Sequence, residues 1–279
     1  MKLIQMGIGL KITQKINNSK NNINNNTLSI HINENWVVFC LFSQEKLIDI
    51  DKVVFLAKKT PTFLLKTIKK YIKSITETKA PKAVKLIYYD KSSTLVPSVL
   101  FDEKNSLNFL KYNTNIKIND LAANDSILNN EVTNVFIPYV NINNYIFDKF
   151  KTFDFFHYSS LLIQLLSLEI SDNFSENFFL NLNDGFIDIL YFKNKKLEFY
   201  NTFDHSCNED ILYYLLFCLN QLNLNPDKTH VACSGNISLD SKIYELLYTY
   251  VRNVELLNFD EIEGINSDII KSNILFRNF

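Results

Sequence analysis

Phe178-Phe179-Leu180-Asn181-Leu182-Asn183-Asp184-Gly185-Phe186-Ile187-Asp188-Ile189-Leu190-Tyr191-Phe192 reads as a β-hairpin. Two runs of β-forming apolar residues flank an Asp-Gly pair, and glycine there allows the positive φ that a tight two-residue turn needs. Working outward, 197–203 continues as a third strand. Asn208 then stands where it can cap a helix over 210–223, which must stop before Asn225-Pro226. That helix is apolar on nearly every side, so burial on more than one face is expected. A short buried strand at 230–233 follows, then a turn at Ser234-Gly235-Asn236, a helix near 241–252 and a last strand at 254–259.

The same text occurs earlier in the chain. Laying 30–47 on 180–197 without gaps pairs Ile30 with Leu180, Asn33 with Asn183, Glu34 with Asp184, Trp36 with Phe186 and Lys46-Leu47 with Lys196-Leu197. Nine of the ten apolar residues of the first copy meet an apolar residue in the second, the exception being Val38 against Asp188. Such self-similarity predicts a duplicated unit. The first copy continues alike, with a third strand near 47–55 and a helix starting at Pro61 behind Thr60, proline being suited to the first helical position. Phe63, Leu64, Ile68, Tyr71, Ile72 and Ile75 form its inner face, while Lys66, Lys69, Lys70 and Lys73 read as a solvated stripe. A strand at 85–89, a strand over 94–101 interrupted at Pro97, a strand at 132–140 and a buried leucine-rich helix at 159–170 complete the reading.

The predicted organisation is a flexible polar extension at 1–26, a first lobe at 27–158 and a second at 159–279. Apolar residues make up 47% of the 279, enough for a sizeable core. A formal charge of −1 gives no attraction to nucleic acid, and no run approaches the length of a membrane span. Met1 to Lys11 has too short an apolar run for a signal peptide, and Cys40, Cys207, Cys218 and Cys233 form no C-x-x-C pair. A cytoplasmic protein with reduced thiols is therefore expected. Only five glycines are present where ordinary usage gives about twenty. Neither G-x-G-x-x-G nor a P-loop occurs, which disfavours the phosphate-cradling classes that depend on them.

Three antiparallel strands, a helix, then alternating strand and helix, written twice, resembles the actin/hexokinase superfamily. The hairpin 181–189 is similar to the second phosphate-binding hairpin of actin-like pilus-assembly proteins. The chain resembles more closely a bacterial domain-of-unknown-function family with an actin-like ATPase (ribonuclease-H-like, duplicated) α/β fold. The pieces that carry this are 28–42, 94–101 (Thr-Leu-Val-Pro-Ser-Val-Leu-Phe), 153–157 and 181–235. In active relatives each hairpin presents Asp-x-Gly, and the acid orders the Mg²⁺ shell. Here those positions are His31 and Asn33, then Asn181 and Asn183, and the paired glycines of the adenosine stretch are replaced by Ser234-Gly235-Asn236. An amide or imidazole substitutes poorly for a carboxylate towards a hard cation.

The resemblance thus implies a catalytically degenerate homologue with no catalytic residue and no metal ligand. Its vestigial nucleotide-binding positions would be His31, Asn33, Glu34, Asn181, Asn183, Asp184, Gly185, Ser234 and Gly235. Glu34 and Asp184 are expected as ordinary turn residues. ATP and Mg²⁺ are not expected to be turned over. The leading functional expectation is a scaffold for an unknown protein partner. The alternatives are a nucleotide or small-molecule sensor binding between the lobes without hydrolysis, and a divergent ATPase or sugar-kinase-like enzyme. His205, Cys207, His230 and Cys233 have the inventory of a zinc site, but His230 and Cys233 are three apart on a strand and point to opposite faces. His157 reads as structural, and Asp204, His205 and Cys207 as loop residues.

Overall fold

The computed structural model describes residues 2–6, 9–15, 26–43, 46–79, 81–171 and 175–257. The chain divides into two compact units that part between Leu161 and Leu162. The first contains β1 (Lys2–Met6), β2 (Gly9–Lys15), β3 (Asn26–Ile32), β4 (Trp36–Ser43), β5 (Lys46–Val54), α1 (Pro61–Lys79), β6 (Ala83–Tyr88), β7 (Ser93–Pro97), α2 (Ser106–Leu110), β8 (Ala123–Ile127), β9 (Val132–Phe136), α3 (Val140–Phe150) and β10 (Asp154–His157). Helix α4 (Tyr158–Leu168) runs through the division. The second unit contains β11 (Glu176–Asn183), β12 (Phe186–Lys193), β13 (Lys196–Asp204), α5 (Asn208–Gln221), β14 (His230–Gly235), α6 (Lys242–Tyr250) and β15 (Asn253–Leu256).

The duplication is present at the level of register. In the first unit the strands lie in the order β1-β2-β5-β4-β3-β6-β10, and in the second β13-β12-β11-β14-β15. In each, three antiparallel strands are followed by two parallel to the first. Ile30 lies opposite Phe39, and 150 residues on Leu180 lies opposite Ile189. The third strand carries an irregularity against Leu41/Phe42 in one unit and against Tyr191/Phe192 in the other, again 150 apart. Trp36 and Phe186 open corresponding strands, as expected from the alignment.

Each unit has its own core. Leu28, Ile30, Val37 and Phe39 pack with Leu64, Ile68, Ile72 and Ile75 of α1 and with Ile142 and Ile146 of α3. Fully burying one such side chain stabilises by roughly 1.5–3 kcal/mol. Thr60 caps α1, its Oγ1 accepting from the Phe63 amide at 3.4 Å. In the second unit Leu180, Ile187 and Ile189 pack with Ile211 and Leu215 of α5 and Leu247 of α6. Leu162 and Leu166 of α4 are buried, as the leucine-rich pattern required. No helix among the described residues is long and apolar enough to cross a membrane, a statement that does not touch β-barrels.

The structure corrects several sequence expectations. Residues 1–26 were expected as a flexible extension. Of these, 2–6 form β1, 9–15 form β2 and Asn26 opens β3, and β2 pairs antiparallel with β5 from Leu10 opposite Val54 to Lys15 opposite Asp49; residues 1, 7–8 and 16–25 lie outside the described residues. The strand read over 132–140 ends at Phe136, and Val140 begins α3, whose Ile142 and Ile146 share a face at helical spacing. Residues 98–100 form a 3₁₀ turn after Pro97 instead of continuing the strand. Helix α5 is not buried all round: Tyr213 is 62% and Phe217 44% exposed, the two rings stacking on each other. Its cap is Cys207, with Asp210 accepting from the Ser206 and Cys207 amides, so Asn208 is already helical. The last strand ends at Leu256, and 258–259 lie outside the described residues.

Candidate functional site

Both hairpin turns lie at the carboxyl ends of parallel strands, the place where open α/β sheets bind ligands. In the first unit Ile32 lies opposite Tyr88 at the end of β6; in the second Leu182 lies opposite Gly235 at the end of β14. Each turn is tied to the neighbouring strand end. The Asn33 Nδ2 donates to the Tyr89 carbonyl at 2.7 Å, and its Oδ1 accepts from the Asn35 amide at 2.9 Å, so an asparagine side chain shapes this turn. In the second turn Gly185 supplies the geometry instead, at φ +86°. The Asn236 amide donates to the Leu182 carbonyl at 2.8 Å, and its Nδ2 to Asp184 Oδ1 at 2.6 Å.

The second unit builds a polar row across four strands. Asn181 lies opposite both Asp188 and Ser234, and Asp188 lies opposite Thr202. Asp188 is wholly buried. Its Oδ2 accepts from Asn181 Nδ2 at 3.2 Å and Asn183 Nδ2 at 3.0 Å, and its Oδ1 from the Tyr200 hydroxyl at 3.0 Å and Thr202 Oγ1 at 2.8 Å. Ser234 Oγ donates to Asn181 Oδ1 at 2.9 Å. A buried carboxylate is tolerated when hydrogen bonds replace its hydration, and four donors do that here. The two amides at the sequence-predicted acid and glycine positions are therefore committed to Asp188.

The first unit departs from this arrangement. Val38 stands where Asp188 stands, and His31 takes the place of Asn181. His31 is buried, with Ser29 Oγ 3.1 Å from Nε2 and the Tyr89 hydroxyl 3.2 Å from Nδ1. Burial pushes its pKa down to about 3, so the ring is neutral. Beside it Trp36 meets Tyr89 edge-on with centroids 4.9 Å apart, and Tyr89 stacks on Tyr158 at 4.8 Å and 11°. Aromatic rings thus occupy the strand ends of this unit.

Of the remaining predicted positions, Glu34 pairs with Lys58 at 3.1 Å on the surface, and Asp184 with Asn236, so each acid has a partner in its own unit. Gly235, also at φ +86°, lies against the Leu182 backbone, where a Cβ would overlap the carbonyl oxygen. Among the described residues no group of three or more His, Cys, Asp or Glu is placed to hold a metal. Cys207 is exposed while Cys233 is buried, and His230 pairs with Glu255 at 2.7 Å. Asp188, Tyr89 and Tyr158 were not singled out from sequence. Asp188 did leave a signal, as the one charge inside the apolar run 186–192 and the one apolar mismatch of the duplication.

His31 yields a pH prediction. Its folded value near 3 lies below the unfolded value of about 6.5, so the unfolded chain takes up a proton that the folded chain does not. Stability from this residue is lost as pH falls through 6.5 towards the folded value, by up to about 1.4 kcal/mol per pH unit. Urea unfolding of wild type and His31→Leu at pH 7 and pH 4.5 should show the variant losing roughly 2–3 kcal/mol less than wild type over that interval. Parallel losses would mean that His31 is charged in the fold.

Residues 15–254 match the model of a family described as "Protein of unknown function (DUF3822)". Among solved structures the chain is similar to a Bacteroides thetaiotaomicron VPI-5482 protein with actin-like ATPase fold and unknown function. That likeness has 21% identity, covers 87% of this chain and 93% of that one, and has a TM-score of 0.67. It is more distantly similar to ethanolamine utilization protein EutJ from Carboxydothermus hydrogenoformans, at 6% identity, 87% coverage of each chain and a TM-score of 0.47. The PilM-PilN type IV pilus biogenesis complex matches at 12% identity, 83% of this chain and 88% of that one, with a TM-score of 0.48. No curated protein sequence matches the chain. The likeness to the Bacteroides thetaiotaomicron protein establishes an actin-like ATPase fold.

Proposed function

The chain belongs to the family described as protein of unknown function (DUF3822), and from that footing we propose that it is a non-hydrolysing actin-like protein that serves as a binding platform for a protein partner. The observation that carries this reading is the fate of the hairpin side chains. Asn181 and Asn183 both donate to Asp188, and His31 is enclosed and neutral. Phosphoryl transfer rests on positioning and on charge neutralisation by Mg²⁺, which hard carboxylate oxygens hold best. Neither turn offers such an oxygen at the positions its relatives use. The Trp36, Tyr89 and Tyr158 rings at the strand ends support the same reading, because packed aromatic side chains leave little room for a phosphate chain.

The segment inserted between β6 and α3 supports a protein partner. It carries the three-stranded sheet β7-β9-β8 and exposes Val99, Leu100, Tyr112, Ile118 and Leu121. Val99 is 92% and Tyr112 84% exposed. Large apolar side chains gathered on one short segment are what association surfaces present. A phosphate-release assay on the purified chain with MgATP tests the catalytic half of the proposal. No release above the uncatalysed rate is expected for wild type or for Asp184→Ala. Turnover in wild type that Asp184→Ala abolishes would overturn the proposal.

A further inference from the structure

The first unit holds a buried polar network that the reading above does not use. Asn134 of β9, His157 of β10 and Ser159 and Ser160 of α4 are each at most 1% exposed. The His157 Nε2 lies 2.9 Å from the Asp90 carbonyl oxygen, which can only accept, so Nε2 carries the proton and Nδ1 is the acceptor. Ser159 Oγ, 2.7 Å from Nδ1, therefore donates to it. Asn134 Nδ2 donates to Ser159 Oγ and Ser160 Oγ, both at 2.9 Å. Ser160 bonds the Asp125 carboxylate, which also accepts from the His157 amide at 2.9 Å. The Ser159 amide and Asn134 Nδ2 also lie 3.3 Å from His157 Nδ1, whereas Asn134 Oδ1 is buried without a partner. Such an orphan is uncommon and calls for a reason.

A second arrangement exists. If His157 gains a proton on Nδ1, that nitrogen donates to Ser159 Oγ, and the Ser159 hydroxyl must turn elsewhere. The Asn134 amide, already bonded to Ser159 Oγ, can accept it by rotating half a turn to present its oxygen, which also takes its Nδ2 away from the protonated ring. Rotated, the same oxygen also draws the Ser160 hydroxyl away from Asp125. The Asp125 carboxylate then loses a donor and takes a proton of its own, which it donates to Ser160 Oγ. We propose that Asn134 is a two-position coupler that makes His157 and Asp125 take up protons together, so that the junction of the inserted sheet with β10 and α4 is a proton-operated latch.

Protonating Asp125 turns its charge-assisted bond to the His157 amide into a weaker neutral one, and the inserted strand β8 is held less tightly to β10. Burial supports the setting of this latch, pushing Asp125 up to about 6 and His157 down to about 4. Coupled sites titrate with midpoints that belong to the pair, not to either residue alone. The other titratable groups around the cluster include Tyr158, whose ring centroid is 5.0 Å from that of His157, Asp90, whose Oδ1 is 3.9 Å from His157 Nε2, and Glu34, Tyr88 and Tyr139, which interact electrostatically with Asp90. Asp90 is itself held by the Ser92 amide at 2.7 Å and does not bond Asn134 or Ser160.

The test is an NMR titration of the His157 ring and the Asp125 carboxyl in the full chain. Coulomb's law alone predicts that Asp125→Asn, by removing a negative charge, makes His157 harder to protonate. The coupler predicts the reverse, because the new amide donates to Ser160 and leaves Asn134 rotated. The expected result is a His157 midpoint raised by roughly half a pH unit or more, about threefold in proton affinity. Ser160→Ala keeps the Asp125 charge, suits a helix and breaks the link, so the His157 and Asp125 midpoints should separate in it. A His157 midpoint that falls or stays in Asp125→Asn would overturn the proposal. So would wild-type midpoints for the two groups that move apart no further in Ser160→Ala.

Discussion

Gly235→Ala is expected to lower the unfolding free energy by roughly 3–5 kcal/mol, against about 1–2 kcal/mol for Gly185→Ala. Both glycines sit at φ +86°, so both substitutions meet the same conformational cost. Only their surroundings differ. A Cβ on Gly185 meets nothing within 4 Å, whereas one on Gly235 overlaps the Leu182 carbonyl oxygen. Leu182 belongs to β11, which is paired on both sides and cannot retreat without disturbing β12 or β14. Urea unfolding of the two variants measures the gap. Equal losses would mean that the strand can move aside and that Gly235 is retained for its φ alone.

Asn181→Asp should destabilise the protein by roughly 3–5 kcal/mol at neutral pH without creating ATP turnover. It looks like the restoration of a catalytic acid, but the side chain it replaces is the donor to Asp188 at 3.2 Å. A second carboxylate there removes that donor and sets two negative charges in contact in a buried site, where they cannot both ionise without penalty. One member of the pair then has a folded pKa above its unfolded value. Its contribution is favourable at low pH and is lost as pH rises through that folded value, so the deficit should shrink on acidification. Combining Asn181→Asp with Asp188→Asn moves the charge one strand over, leaves Ser234 an oxygen to donate to, and should recover most of the stability. Thermal unfolding of the two variants at pH 7 and pH 5 gives the answer, and a fully stable single variant would show that the polar row is looser than the structure indicates.

The part of the fold legible in the sequence was the part written in local pattern. β-forming apolar runs, the Asp-Gly turn of the second copy and a repeat at constant spacing marked the three antiparallel strands β3-β4-β5 and their counterparts β11-β12-β13. Helix α1 was legible from Pro61 and its apolar stripe. Helix α3 was not, because Val140, Ile142 and Ile146 are as common in strands as in helices and Pro138 precedes them without a clear cap. Exposure of Tyr213 and Phe217 depends on what packs over α5, which composition does not contain. At the site, sequence identified His31, Asn33, Asn181 and Asn183 as the positions that depart from active relatives, but only distances show what they do instead. The amides serve Asp188 and the Tyr89 carbonyl, and the histidine serves the Ser29 and Tyr89 hydroxyls. Non-local partners of this kind leave no spacing rule behind.

The central claim is that these hairpins no longer hold a nucleotide. Isothermal titration of the unmodified full-length chain with ATP at fixed excess Mg²⁺ tests it most directly. The account predicts no saturable heat up to millimolar nucleotide, and the same flat trace for ADP. Saturable binding of MgATP with a micromolar dissociation constant would contradict it, and would move the protein to the class of nucleotide-responsive sensors.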